Sequence, residues 1–427
     1  MLPTIFDKSF LESLTLDEAV WFDNFFLSNI TPIFYVETLA DLEKKGKKGK
    51  VSRTPEELVE ELANKTPVMH SVPNIFHLRL VVGNLLGQKV EMSDHHRPII
   101  SGGQYNITPD GKLGVDFKQF PEAAALERWR RHEFLEIERK VAKNWRKSLT
   151  NLNFDSLIDQ AKSVVPSEAR IAKLEDVKKF ADSFVKGRYN QLIHLALNML
   201  DVPEKAKRPI LKRWYATRPM PFDEFAPFAA HVLKIDLFFY LCLDKSLIAK
   251  ERPSNKIDIS YLYYLPFCSV FVSSDKLHLR TVPLFVENGQ SFVTGKELKE
   301  DLKKLNEYYA KLPDKIKERG LMEFAVYPPD DQETLVGNLY DKHLKSSWRK
   351  SAKVHRQSWG KPKKFNNGIV EELKKKQSEQ KPLVGSSPSS DMVDSISITR
   401  RIPAKRGSWM ILPLEVIKKS GKTDPKP

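Results

Sequence analysis

Cysteine is almost missing. The 427 residues hold two, Cys242 and Cys268, each set among apolar neighbours. Two cysteines without a CxxC spacing make no zinc site on their own. They read as buried free thiols in a reducing compartment. No GxxxxGK[ST] loop, no GxGxxG after a strand and no GxSxG elbow occurs, which argues against NTPase, dinucleotide-binding and serine-hydrolase chemistry. Long apolar runs are also scarce. The best membrane candidate, FAPFAAHVLKIDLFFYLCL at 225–243, has Lys234 and Asp236 in its middle. It reads as a buried core helix, and no membrane partner is expected. MLPTIFDKSF at the N-terminus lacks the basic n-region and long h-region of a signal peptide, so the expectation is a soluble, cytoplasmic protein. No internal repeat is evident.

What is present is positive charge and enough apolar material for a large core. Hydrophobic residues make up 41% and the formal net charge is +15. That balance favours a polyanionic partner. Trp and Tyr interleave with Arg and Lys in RWRRHE, KNWRK, KRPILKRWYATR and SSWRKSAKVHRQSWGKPKKF. The mixture suits phosphate neutralisation with base stacking. The helical segments read first as solvated faces with Trp in the core. In the tail, Trp348 and Trp359 have little evident to pack on.

Along the chain, LPTIF (2–6) predicts a strand ending at Asp7. Thr15 with Glu18 predicts a capped helix. Ile33 to Val36 is apolar and reads as a second strand, followed by Glu37. Thr54, Pro55 and Glu57 open another helix. PEAAALERWRRHEFLEIERKVAKNWRKSL predicts one long helix. Asp258 stands at a helix start after the Pro253–Asn255 break. VFV (270–272) predicts a buried strand ending in Ser273-Ser274-Asp275. HLRTVPLFV reads as a further strand, and GKELKEDLKKLNEYYAKL as a helix.

If the strands are parallel, Asp7, Glu37, Asp258 and Asp275 converge on one rim of the sheet. Four like charges repel, and a hard divalent cation resolves the conflict. TIFDKSFL, PIFYVETLADL and DISYLYYLPFCSVFVSSDKLH together resemble the PIN-domain nucleases, over roughly residues 1–45 and 255–290. The resemblance implies an α/β, three-layer core with a parallel sheet. It implies Mg²⁺ or Mn²⁺ held by Asp7, Glu37, Asp258 and Asp275, and hydrolysis of RNA by activated water. Ser273 matches the supporting hydroxyl, and Ser9 the small polar residue two after the first Asp. More than two hundred residues separate Glu37 from Asp258, a departure from the compact family pattern.

The organisation expected is therefore 1–45 as the first half of the core, 46–250 as a mainly helical insertion, 251–340 as the second half, and 341–427 as a basic, disordered tail. The partner expected is nucleic acid, RNA first; a homo-oligomer is left open. The alternative is a catalytically inactive, PIN-like nucleic-acid-binding or scaffold protein. MSDHHRP (92–98) reads as a polar loop, since adjacent strand residues point to opposite faces. His278 reads as an ordinary loop histidine near the rim.

Overall fold

A computed structural model describes residues 1–43, 53–95, 98–100, 103–150, 154–166, 170–188, 190–217, 220–359, 381–382 and 393–419. The basic stretch at 44–50, His96 and the Ser-rich stretch at 385–391 lie outside those residues.

Five parallel strands form the central sheet: β1 (Leu2–Phe6), β2 (Phe26–Ile30), β3 (Ser71–Pro73), β4 (Val270–Ser273) and β5 (Ser291–Thr294), in the order β3-β2-β1-β4-β5. β1 is central, with Thr4 level with Ser28 on one side and Val270 on the other. The chain winds outward from β1 to β3, then returns to start again at β4. Right-handed crossovers put the helices of the two halves on opposite faces. On one face, Phe6 packs edge-on to Phe22 and Phe34, each 5.4 Å away. These rings come from α2 (Leu16–Phe25) and α3 (Pro32–Ala40), which follow the short α1 (Lys8–Ser13). On the other face, Phe271 meets His278 edge-on at 5.3 Å. The molecule is thus an α/β protein with a parallel sheet between helical layers.

Further helices are α4 (Pro55–Lys65), α5 (His77–Leu85), α6 (Pro227–Asp244), α7 (Asn255–Ser260), α8 (Lys276–Thr281) and α9 (Gly295–Ala310), with a 3₁₀ segment at Tyr261–Phe267. α6 is buried along nearly its whole length, packing on α5 and on the helices at 155–163 and 174–185. Among the described residues no helix is long and apolar enough to cross a membrane. α6 and the sheet share one continuous hydrophobic core. Both cysteines are free and buried.

Several expectations are corrected. PIFYVE is helix, not strand. Thr31 caps it and Pro32 occupies its first turn, while the preceding FLSNI supplies β2 instead. HLRTVPLFV is α8 and a short 3₁₀ turn, because the Asp275 side chain caps a helix there. The following strand lies later, at Ser291–Thr294. The long helix at 121–149 breaks into Pro121–Trp129 and Glu136–Thr150, with His132 at φ 56 in the break. Residues 46–250 are largely helical but also contribute β3 to the central sheet. They add two strands, Gln104–Ile107 and Leu113–Phe117, to a second, four-stranded sheet.

The tail differs most. Its described part is ordered: helix Trp348–Gln357, strand Ser395–Ile398 in the second sheet, and a hairpin pairing Lys405–Arg406 with Trp409–Met410. Trp348 is buried against Tyr340, and Trp409 against Trp21. For Trp409 the partner lies far away in sequence, and local composition does not reveal it.

Candidate active site

The strand order reverses between β1 and β4. In open parallel sheets such a switch point, at the C-terminal ends of the strands, forms a crevice. The residues that leave β1 and β4 there are Asp7 and Ser273-Ser274-Asp275.

Asp7 is buried and caps α1. Its Oδ1 accepts the Phe10 N–H at 2.8 Å. Its Oδ2 accepts the hydroxyls of Ser9 at 2.8 Å and Ser273 at 2.5 Å. Asp275 caps α8, accepting N–H groups of Leu277 at 2.6 Å and His278 at 3.3 Å. Ser274 packs against Gly295 at the start of α9, where a Cβ would lie 3.1 Å from both the Ser274 Cβ and a Phe10 ring carbon, closer than ordinary contact.

His278 is not a loop residue. It lies in α8, fully buried. Its Nε2 donates to the Asp258 carbonyl at 2.7 Å, and its Nδ1 stands 2.7 Å from Ser273 Oγ and 3.3 Å from Asp7 Oδ2. Ser273 gives its only proton to Asp7 and accepts the Asp275 N–H at 2.9 Å. The Nδ1 contact is satisfied when that nitrogen also carries a proton, making an imidazolium. Burial works against that charge, but the Asp7 hydrogen bond and carboxylate outweigh it and raise the His278 pKa to about 9. For Asp7, burial favours the neutral acid, yet the bonds and charge of His278 and the Ser273 bond hold its pKa below the usual value.

The other two carboxylates are shifted upward. Burial pushes Glu37 up to about 7, with Asp7 and Asp41 adding to the rise while Lys8 and the Tyr261 hydroxyl oppose it. Tyr261 donates to Glu37 Oε2. Burial, followed by the charges of Glu37, Asp275 and Asp7, raises Asp258 to about 8, against a lowering by His278. Asp258 therefore feels the charges of Glu37, Asp275 and Asp7 at this rim, and Ser9 and Ser273 both bond Asp7. Glu37 arrives from the middle of α3 rather than from a strand tip.

Sequence reading missed three groups. His278 was recognisable only by its spacing from Asp275. Lys8 pairs with Asp41 at 3.0 Å and Glu12 at 3.5 Å; Asp41 is four residues after Glu37, the spacing of one helix face. Tyr261 was hidden in an aromatic run. Asp94, by contrast, bonds Ser269, which precedes β4 at the opposite edge of the sheet, and the His95 side chain is exposed.

The donor set is hard oxygen, which suits Mg²⁺ or Mn²⁺ in kind. Among the described residues no three His, Cys, Asp or Glu side chains stand close enough to chelate an ion by themselves. Mg²⁺ commonly takes one or two carboxylates and fills its shell with water and phosphate oxygens. Glu37 and Asp258, whose carboxyl groups stay raised despite Lys8, Tyr261 and His278, fit that role.

No known protein family, characterised protein or solved structure matches this chain.

Proposed function

We propose that this protein is a divalent-metal-dependent phosphodiester hydrolase of PIN type, acting on RNA. The observation that supports it best is the burial of Glu37 and Asp258 beside other carboxylates at the switch point, which raises them to about 7 and about 8. Carboxyl groups shifted by burial and specific charge partners in a sheet-edge crevice are candidates for a functional site. Mg²⁺ or Mn²⁺ bound by Glu37 and Asp258 would supply Lewis acidity toward a phosphoryl oxygen. The chain's own groups do the positioning. Asp7 is held rigid by three side chains and one backbone N–H. His278 ties α7, which bears Asp258, to β1 and β4. Without an ion Glu37 and Asp258 hold protons up to near neutral pH, and a bound cation would displace them. The net charge of +15 favours a polyanionic substrate.

A second reading is favoured by His278 and Lys8, internal cations that already offset part of the negative charge: a PIN-like nucleic-acid-binding scaffold without catalysis. Cleavage of a labelled single-stranded RNA with Mn²⁺ separates the two. The hydrolase reading expects wild-type cleavage, abolished by chelator and reduced about 100-fold or more by Asp258→Asn. Cleavage unchanged in Asp258→Asn and in Asp275→Asn refutes this site. No wild-type cleavage with Mn²⁺ or Mg²⁺ favours the scaffold.

A further inference from the structure

The same edge of the sheet carries an aromatic surface that the proposed chemistry does not use. β3 is parallel to β1, so the residues leaving it emerge on the carboxylate rim. Three residues after Pro73 stands Phe76, which is 42% exposed and immediately precedes α5. A large aromatic ring at a sheet edge that faces solvent invites a reason, and here the ring is part of a built column. Phe76 stacks on His77, with centroids 4.9 Å apart and planes at 28°. His77 in turn backs onto Tyr263 at 4.7 Å, with the planes tilted at 49°. The Tyr264 hydroxyl accepts the His77 backbone N–H at 3.0 Å and faces its Nδ1 at 3.4 Å, fixing the imidazole. Burial, with the nearby Lys256 charge, lowers the His77 pKa to about 3, so the rings beneath Phe76 are neutral.

The column is tied to the acid site through one segment. Tyr263 and Tyr264 belong to the 3₁₀ turn whose first residue, Tyr261, donates to Glu37. Neighbouring strands lie about 4.8 Å apart, so β3 is about 10 Å from β1. A nucleotide next to a phosphate at the carboxylates is within reach of that distance.

We propose that Phe76, backed by His77 and Tyr263, is a stacking platform for an unpaired base of single-stranded RNA adjacent to the phosphate held at Asp7, Glu37, Asp258 and Asp275. This rests on the RNA reading above and deepens it by selecting unpaired over duplex substrate. A base presents a π-face whatever its identity, so the platform is sequence-tolerant. Stacking of this kind requires the base to be unstacked from its neighbours, which a duplex resists.

The test is binding to the full-length protein in chelator, so that cleavage plays no part. The probe is a single-stranded oligoribonucleotide carrying 2-aminopurine, read by anisotropy and by quenching of the modified base. Wild type should bind and quench. Phe76→Ala should weaken binding about 5- to 100-fold and lose the quenching, the range expected for one stacked base. Phe76→Trp should retain both. The salt dependence should be the same in wild type and Phe76→Ala, because no phosphate contact is removed. A blunt duplex should be indifferent to Phe76→Ala. Thermal melting of Phe76→Ala checks that the fold is intact. Wild-type affinity and quenching in a folded Phe76→Ala overturn the platform whatever the cleavage result, and so does a wild type that binds no single strand. A chain that cleaves nothing yet needs Phe76 for binding leaves the platform standing and removes only the hydrolase reading.

Discussion

At the scale of single residues, the site is defined by where protons sit. Glu37, Asp258 and His278 all hold their protons more tightly in the folded chain than their ordinary values predict: about 7, about 8 and about 9. Raised folded-state values stabilise the fold fully below the unfolded pKa, about 4.3 for Glu and about 6.5 for His. That contribution is lost as pH climbs through the folded values. In chelator, the melting temperature should therefore fall as pH rises from about 5 to about 9. Asp7, whose value is lowered, acts in the opposite sense and only at acid pH. Mn²⁺ should flatten the slope, since ion binding displaces the same protons. A melting temperature rising across that interval would contradict the coupled cluster. His278→Ala should cost about 3–5 kcal/mol in urea unfolding, because Asp7 keeps a buried charge without its counter-ion. Asp7 and Asp275 were legible in sequence because a short apolar strand followed by an acid and a helix start is a local pattern. The burial of His278 is set by α7 and β4 meeting across the sheet edge, which no local pattern records.

At the scale of elements, the misreading of PIFYVE shows what local apolarity cannot decide. Four apolar or aromatic residues in a row fit a buried strand or one turn of a buried helix. Thr31 and Pro32 settle it in favour of helix, and the strand moves back to FLSNI. Glu37 reaches the site either way, so the acid was found by the wrong route. α7 raises a different question, since it is six residues long and cannot hold its own position. What fixes it is Lys256, which bonds Asp236 of α6 and the Tyr263 hydroxyl and sits over the rings of Tyr240 and Tyr263. Asp236 is 4% exposed, in the middle of the stretch that resembled a membrane span. Asp236→Leu should therefore destabilise the protein by about 3–5 kcal/mol, by leaving the Lys256 ammonium buried without its partner. Asp236→Leu combined with Lys256→Met should recover much of the loss. Denaturant melts of the single and double variants measure this. Equal losses in both would mean that α7 is held by apolar packing and not by the ion pair.

At the scale of the whole molecule, the hairpin at Lys405–Met410 and the N-terminal helix α2 are one structure. Arg406 donates to Asp23 at 2.8 Å, to the Asn64 carbonyl at 2.7 Å and to the Thr66 carbonyl at 2.9 Å. Asp23 sits in α2 without exposure and also accepts the N–H groups of Val68, Met69 and His70, which lead into β3. Arg406 thus completes a polar knot that positions the edge strand of the central sheet. Around it, Trp409 meets Trp21 edge-on at 4.7 Å, and Trp21 stacks on Tyr309 of α9 at 4.4 Å. Composition alone, rich in Pro, Ser, Lys and Arg, predicted a loose tail, because the partners lie more than three hundred residues away. Arg406→Ala should consequently cost about 3–5 kcal/mol, the penalty for an uncompensated buried carboxylate. Arg406→Lys should recover only part, since an ammonium cannot reproduce the planar fork shared among three acceptors. Ending the chain at residue 392 should do more damage than either, by removing Trp409 as well as the charge. If that truncated chain melts with wild-type cooperativity and temperature, the segment only rests on the surface. If it loses the cooperative transition, the C-terminal hairpin is part of the core that holds the carboxylate rim in place.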